Sequence, residues 1–198
     1  MPKQTPSQTV GPFFAYALVP ESYGRKGIAG NVLVSAATRG ERIRIEGRVL
    51  DGNGALVNDA LIEIWQANAA GRYRHPADKR DDVAVDPAFT GFGRTMTDDA
   101  GAFFFETVKP GRVPGRGNTL QAPHIGVIVM ARGMPNHAYT RIYFADEAQA
   151  NAEDAVLASI EVARRSTLIA PRSDANGIAL YRFDIRLHGD DETVFFDA

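Results

Sequence analysis

The side chains in this sequence that could carry chemistry include a tyrosine and a histidine in the stretch 61–75, LIEIWQANAAGRYRH. Its first half is rich in β-branched and aromatic residues, which predicts a strand. The polar residues after Trp65 and the glycine at position 71 predict a loop that carries Tyr73 and His75 among arginines. A phenolate and an imidazole can bind a hard metal ion. A tyrosine that packs on the edge of a sheet fits the same pattern, and periodicity does not choose between the two interpretations.

The histidines do not form a recognisable metal motif. They lie at positions 75, 124, 137 and 188, and no two of them are two or four residues apart, so the usual zinc and copper spacings are absent. The sequence has no cysteine, which excludes disulfides and thiolate metal sites. It also lacks a G-x-S-x-G motif. We interpret His137 and His188 as surface residues, and residue types alone leave the site undefined.

Length and composition place the chain among ordinary globular proteins. With 198 residues and 44% hydrophobic content, it can bury one core, so we expect a single domain over residues 1–198. The formal net charge is -2 and no basic block occurs, which makes nucleic acid an unexpected partner. The N-terminus has no apolar signal-peptide region and no apolar run is long enough for a membrane helix. We therefore expect a cytoplasmic protein.

Short apolar segments separated by turns dominate the chain. In residues 42–49, apolar side chains alternate with charged ones, the period of a half-buried strand. Residues 124–131 form a continuous apolar run, typical of a buried strand, and 180–187 alternates as one further strand. A short helix is expected after Asp146, with that carboxylate as its cap. About eight strands with little helix predict an all-β fold, an antiparallel β-sandwich.

Two regions depart from this strand pattern. Residues 1–12 contain three prolines among polar residues and predict an extended N-terminal arm, and with the irregular residues 20–40 they make residues 1–40 an arm and excursion. The loop 68–92 is long for a compact domain, which is typical of a functional loop or an interface.

A set of motifs in a fixed order resembles one known family over nearly the whole chain. The motifs are IEIWQANAAGRYRH, GRTMTDDAG (93–101), TVKPG (107–111), APHI (122–125), RIYF (141–144) and LYRFDIRL (180–187). Together they resemble the intradiol ring-cleaving dioxygenases. Members that act on 3,4-dihydroxybenzoate pair an α chain with an iron-bearing β chain of the same fold in an αβ hetero-oligomer. The segments TPSQTVGPFF, FADEAQANAEDAVL and DETVFFD resemble the α chain.

The resemblance also implies what the metal site should contain. In this family a non-haem Fe(III) is held by two tyrosinates and two histidines. Tyr73 and His124 match one ligand of each kind, whereas Val113 and Gly126 stand where the other two ligands would be. Gln121 stands where the family has an arginine that assists the ring chemistry. Because ligand number governs such sites, the resemblance implies that this chain has no metal site of its own and that the partner β chain holds the Fe(III).

In the α chains that this sequence resembles, the N-terminal arm and an arginine at a strand end reach the iron pocket of the β chain. The matching substrate-binding residues are Thr9, Gly11, Pro12, Phe13 and Arg132, and no catalytic residue is assigned to this chain. The family usually has a tyrosine where Phe13 stands. A guanidinium suits the carboxylate of the substrate through bidentate pairing. The alternative for Arg132 is a solvated cation at the end of a strand.

The function implied by the resemblance is that of a non-iron α subunit in aromatic compound catabolism. The αβ complex would convert 3,4-dihydroxybenzoate and O2 into 3-carboxy-cis,cis-muconate, and the chain alone would be inactive. Two alternatives stay open. The chain could be a self-sufficient intradiol dioxygenase with an altered iron site, or a non-catalytic β-sandwich that binds or scaffolds.

Overall fold

The structure is a computed structural model that describes residues 12–175 and 177–197, without the side chains of residues 12–14. Strands dominate and helices are short. The described elements are α1 (Pro12–Leu18), a 3-10 helix (Pro20–Tyr23), β1 (Arg42–Leu50), β2 (Leu61–Trp65), β3 (Phe92–Met96), β4 (Ala102–Val108), β5 (Val113–Pro114), β6 (Leu120–Gln121), β7 (His124–Met130), β8 (Ala138–Phe144), α2 (Ala148–Glu153), α3 (Ala155–Ala158), a 3-10 helix (Val162–Leu168), β9 (Ile169–Ala170), β10 (Arg172–Ala175), β11 (Ile178–Arg182) and β12 (Ile185–Arg186).

The first five-stranded sheet is built around β1. This strand pairs antiparallel with β4 along residues 42–48. It also pairs parallel with β11 along residues 43–46 and with β12 at residues 49–50, and β10 pairs with β11. The predicted alternation of apolar and charged residues is confirmed. Ile43, Ile45 and Val49 are buried, and the charged residues between them are more exposed.

The second five-stranded sheet has the order β3-β2-β7-β8-β9. β7 is its central strand and pairs antiparallel with both β2 and β8. Its burial is nearly continuous, as the apolar run of residues 124–131 predicts. A separate small hairpin joins β5 to β6.

The expectation of purely antiparallel sheets was wrong at three pairings. β11 and β12 run parallel to β1, and β9 runs parallel to β8. None of these strands is joined to its partner by a hairpin, and only a hairpin forces antiparallel pairing. The single strand expected over 180–187 is interrupted as well. Between β11 and β12, the Phe183 amide donates to the carbonyl of Glu46, and the Asp184 carboxylate accepts from the Arg48 amide.

Both five-stranded sheets contribute to one hydrophobic core. The largest cluster of buried side chains combines residues of the first sheet, such as Ile45 and Phe105, with residues of the second, such as Ile64 and Ile125. Two smaller clusters lie beside it. One joins α2 and α3 to the buried Tyr143 on β8, and helices and loops thus cover part of the second sheet.

The N-terminal segment is helical where it enters the described residues. Thr9 and Gly11 lie outside those residues. Pro12 and Phe13 begin α1, so the chain is not extended from position 12 onward. Ala15 and Val19 pack with Leu61, and Met96 and Met130 flank them. α1 therefore lies at the end of the second sheet where β7 finishes.

Asp146 does not cap the helix that follows it. α2 begins at Ala148 after Glu147, and no side-chain cap is found for it in the described part of the chain. The Asp146 carboxylate instead accepts from Lys109 Nζ at 2.7 Å, the Tyr181 hydroxyl at 2.9 Å and Arg172 Nη1 at 3.1 Å. Charge-assisted bonds of this kind outweigh a cap to neutral amides. Within the described ranges, no helix is long and apolar enough to cross a bilayer.

Gly47 in the middle of β1 offers a test of this packing. A methyl group there would overlap the carbonyl oxygen of Phe183 and lie 2.9 Å from the Phe103 ring. We expect Gly47→Ala to lower the free energy of unfolding by at least about 2 kcal/mol, because main chain and core must move apart. Urea denaturation measures this loss.

Gly30→Ala is the matched control for this substitution. A Cβ at Gly30 meets nothing within 4 Å, so the change in unfolding free energy should stay below about 1 kcal/mol. Equal effects of the two substitutions would contradict the close approach of Phe183 to β1.

Candidate functional site

A cavity of about 750 Å³ opens beside the second sheet, a size typical of pockets for small molecules. Its walls come from the end of β2, the loop after it, the β5–β6 hairpin, β7 and β8. The lining residues are Trp65, Tyr73, His75, Ala77, Asp78, Lys79, Arg80, Val113, Pro114, Gln121, His124, Tyr139 and Arg141. The long loop 68–92 therefore supplies a large part of the site.

A row of three residues crosses the sheet beneath the cavity, and its two outer members, Trp65 and Arg141, line the cavity. Trp65 on β2 pairs with Gly126 on β7, and Gly126 pairs with Arg141 on β8. The next row, Ile125 and Ile142, is buried in the core. Because side chains alternate between the two faces of a strand, the row of Trp65, Gly126 and Arg141 faces away from that core.

Two glycines bring the loop of Tyr73 against the β5–β6 hairpin. Gly71 has φ of 81°, and a Cβ there would overlap the carbonyl oxygen of Arg112. A Cβ on Gly111 would lie 2.5 Å from the Gly71 amide nitrogen. Only glycine permits backbones to approach this closely. The contact sets Tyr73 and Val113 on the walls of one cavity.

An ion pair fixes the same loop. Arg80 donates to Asp78 through Nε at 2.9 Å and Nη2 at 2.6 Å, and also to the carbonyl of Gly71 at 2.7 Å. These hydrogen bonds from Arg80 hold the pKa of Asp78 well below its usual range. Asp78 accepts from the Tyr73 amide at 2.9 Å. Tyr73 then stacks on Trp65 with ring centroids 5.9 Å apart and planes 12° apart.

His124 is a buried, neutral imidazole. Its Nδ1 lies 2.8 Å from the carbonyl oxygen of Ala122, so we assign the proton to Nδ1 as donor. The amide of Ala122 donates to Asp154 at 2.7 Å, and Asp154 also caps α3 through the Leu157 amide. Burial, with a smaller contribution from Arg141, lowers the pKa of His124 to about 4.

Tyr73 is a protonated phenol at neutral pH. Burial raises its pKa above the usual value, and the positive charge of Arg141 only partly opposes this effect. A tyrosinate ligand would have to lose that proton first.

Arg141 is the charged residue that sequence reasoning missed. Its Nη1 donates to Gln121 Oε1 at 2.7 Å, and the hydroxyls of Tyr139 and Tyr143 lie beside the guanidinium. No carboxylate pairs with it among the described residues. Its Nε is buried and finds no hydrogen-bond partner in residues 12–175 and 177–197. The signal was present in the sequence, because the alternation in AYTRIYF puts positions 139, 141 and 143 on one face of β8.

The side chains of this cavity do not fit Fe(III). Val113 is apolar and Gly126 has no side chain, so Tyr73 and His124 alone remain of the four ligand positions that the family resemblance implies. The space beside Gly126 is taken, since a Cβ there would lie 3.2 Å from the Tyr139 hydroxyl. The guanidinium of Arg141 adds a fixed positive charge that repels a cation. Two neutral ligands beside an arginine do not make an iron site.

Arg132, which sequence reasoning assigned to substrate binding, lies far from this cavity. It follows β7 at the end opposite His124, and the six residue steps from His124 to Met130 span about 20 Å at the usual rise. Its side chain is 71% exposed and its Nε pairs with Asp59 at 2.8 Å. It also donates weakly to Asn58 Oδ1 at 3.4 Å. Arg132 thus cannot serve the cavity of its own chain.

Comparisons with known proteins agree on one family. A family model described as "Dioxygenase" matches residues 29–189. The chain is 50% identical over 201 residues to the protocatechuate 3,4-dioxygenase alpha chain of Burkholderia cepacia, covering 99% of this chain and 98% of that protein. It is 39% identical over 169 residues to the beta chain from the same organism, covering 82% of this chain and 71% of that protein.

A solved structure shares the fold. The dioxygenase domain of a dioxygenase carbohydrate-binding protein fusion from Streptomyces sp. SirexAA-E matches with a TM-score of 0.63 at 22% identity, covering 95% of this chain and 97% of that one.

The lowered pKa of His124 predicts a loss of stability in mild acid. Its usual value is 6.5 and its folded value about 4, so between these values the unfolded chain binds more protons than the folded one. Stability should therefore fall as pH falls from about 7 to 4, and this residue should contribute on the order of 2 kcal/mol of loss at pH 5. The measurement is the unfolding free energy in urea at pH 7.5 and pH 5.

His124→Gln is the control for the pH effect. Other titrating groups remain in this variant, so its stability should still decline in acid, but by on the order of 2 kcal/mol less than the wild type. The same decline in both proteins would show that the pKa of His124 in the folded chain is not lowered.

Proposed function

The chain belongs to the intradiol dioxygenase family, and from this membership we propose that it is the non-iron α subunit of a protocatechuate 3,4-dioxygenase. The observation that carries the proposal is 50% identity over nearly the full length of both chains to an alpha chain of that name. The complex would insert both atoms of O2 between the hydroxyl-bearing carbons of 3,4-dihydroxybenzoate and give 3-carboxy-cis,cis-muconate.

The partner in this proposal is an iron-bearing β chain of the same fold. A beta chain is 39% identical to this chain over 82% of this chain's length, which supports a partner of the same fold. The cavity of this chain does not fit Fe(III), so we assign the metal, and the activation of the substrate toward O2, to the partner. We further propose that the two sheets face each other as a β-sandwich, that residues 1–198 form one domain and that the complex is cytoplasmic. The shared core and the lack of cysteine support these points.

The contribution of this chain to catalysis is then a surface presented to the partner. We propose that Arg132 pairs with the substrate carboxylate in the pocket of the β chain and that Thr9, Gly11, Pro12 and Phe13 form the adjoining wall. Arg132 is exposed and too far from its own cavity to act there. α1, which begins with Pro12, packs beside Met130 at the same end of β7. α1 and Arg132 therefore lie at the same end of β7.

The proposal predicts that the full-length chain without its partner holds little iron. We expect less than about a tenth of an equivalent after purification, no visible tyrosinate-to-iron absorption, and activity only when the β chain is added, because two ligands are missing. Metal analysis and absorption spectra test this, and one equivalent of tightly bound iron would favour the self-sufficient dioxygenase instead.

The double variant Val113→Tyr, Gly126→His sharpens the test. It restores the ligand types but leaves the Arg141 charge in place, and its new histidine must displace the Tyr139 ring. We expect no ring cleavage by this variant alone, because an unsupported ligand set is poorly oriented. Turnover close to that of the complex would contradict our reading of the cavity.

Arg132→Ala in the assembled complex should raise KM for 3,4-dihydroxybenzoate far more than it lowers kcat. The carboxylate is remote from the bond being broken, so the interaction acts alike on ground and transition states. Loss of a charge-assisted pair of roughly 1.5–3 kcal/mol corresponds to about ten- to hundredfold in KM. Arg132→Lys should recover part of the loss, since an ammonium lacks the planar fork.

Two controls separate a substrate role from a structural one. Catechol has no carboxylate, so its kinetics should hardly respond to Arg132→Ala. Asp59→Asn replaces the carboxylate that pairs with Arg132 in this chain but keeps the guanidinium, so KM should stay within about twofold of the wild-type value. Equal losses on both substrates would mean that Arg132 supports the subunit interface.

A further inference from the structure

The cavity of this chain carries features that neither iron nor a vestigial pocket explains. We propose that it is a binding site for a small aromatic monocarboxylate and that Arg141 pairs with the carboxylate of this ligand. The site is separate from the pocket of the β chain, and its existence does not depend on the proposed function of Arg132.

Charge is the first observation. The lining contains the cations Lys79, Arg80 and Arg141 but only one carboxylate, Asp78. Asp78 is already engaged by two hydrogen bonds from Arg80 and one from the Tyr73 amide. The cavity therefore carries an excess of positive charge, which favours an anion.

The surroundings of Arg141 locate where that anion would bind. Its neighbours are the uncharged Gln121, Tyr139, Tyr143 and Phe196, and no carboxylate in the described part of the chain forms a direct ion pair with it. The carboxylate of Asp154 is separated from it by the Tyr143 hydroxyl. A partly buried guanidinium without a direct ion-pair partner is unfavourable, and a bound anion offsets that desolvation. The fork of Arg141 matches a carboxylate through two parallel hydrogen bonds.

The shape and chemistry of the walls select an aromatic ligand. Trp65 and Tyr73 stack nearly parallel, with 12° between their planes, and a third ring, Tyr139, lies against Gly126. Val113 adds an apolar surface. A flat ring can pack against such surfaces by offset or edge-to-face contact. An inorganic anion would satisfy Arg141 but would leave these apolar walls without a partner.

Benzoate is the probe, and the protein carries its own reporter. Trp65 is the single tryptophan of the sequence, lies on the cavity wall and is 38% exposed. In the full-length chain without the β chain, which leaves out the iron pocket, we expect benzoate to change tryptophan fluorescence saturably, and calorimetry to give the same affinity. Benzamide, of the same shape without charge, and sulfate, a charge without a ring, should each bind at least about tenfold more weakly.

Variants assign the binding to Arg141. Arg141→Gln should weaken benzoate binding roughly ten- to hundredfold, and Arg141→Lys should lie between it and the wild type. Arg182→Gln removes the same charge from an exposed position on β11, in the other sheet and outside this cavity, so benzoate affinity should not change. Thermal melting of each variant establishes that it is folded. If Arg141→Gln does not fold, the contrast between benzoate and benzamide in the wild type, together with Arg141→Lys, decides the question.

Four results would overturn the proposal. The first three are no saturable benzoate binding up to about 20 mM, equal affinity for benzoate and benzamide, and unchanged benzoate affinity in folded Arg141→Gln. The fourth is sulfate binding tighter than benzoate, which would reject an aromatic ligand. None of these results bears on the activity of the complex, so the proposed function and this inference fail or succeed separately.

Discussion

The register of β7 between β2 and β8 is the constraint from which the rest of the structure follows. Ile125, Val127 and Val129 are buried in the core, and each contributes roughly 1.5–3 kcal/mol by burial. A slip of one residue would turn all three toward the opposite face, so the register is strongly determined. It fixes Gly126 between Trp65 and Arg141 on the other face. It also places the cavity at one end of the strand and Arg132 beyond the other.

The cavity shows how a site of this family can be stable without a metal. His124 is neutral because burial lowers its pKa, and Tyr73 is neutral because burial raises its pKa. Neither residue then needs a cation nearby to be stable in the fold. Arg141 supplies a fixed positive charge in the row of residues beneath the cavity, and Tyr139 covers Gly126 in the middle of that row. The positive charge in the cavity comes from a side chain of the protein and not from a metal ion, so the cavity suits an anion.

Much of this arrangement could be predicted from the sequence, and the failures have identifiable physical causes. The strands with clear alternation or continuous burial, β1 and β7, were confirmed. Local pattern could not show the parallel partners of β1, because these depend on contacts between residues more than a hundred positions apart. Asp146 had the sequence context of a cap, but Lys109, Arg172 and Tyr181 compete for its carboxylate in the folded chain.

The site itself was predicted through positions that match a family, which is why Arg141 was missed. Tyr73, Val113, Gln121 and His124 do line one cavity, although they come from separate parts of the chain. A match to family motifs shows only whether an expected ligand is present at a given position. It gives no information about a charged residue on the neighbouring strand. Arg141 is identified only when all the side chains on the outward face of β8 are considered together.

The two arginines at the opposite ends of the second sheet are in contrasting environments, which suit different tasks. Arg132 is largely exposed, and its pair with Asp59 is a surface ion pair worth about 0–1 kcal/mol. In the proposed complex, a substrate carboxylate in a pocket closed from water would bind this guanidinium by roughly 1.5–3 kcal/mol, so exchanging Asp59 for that group would be favourable. Arg141 is held among neutral side chains and has no carboxylate to release in the described residues. An exposed arginine with a weakly held partner can exchange that partner for a group on another chain. The half-buried Arg141 is hydrogen-bonded to Gln121 but has no ion-pair partner among the described residues, so an anion that enters the cavity would supply one.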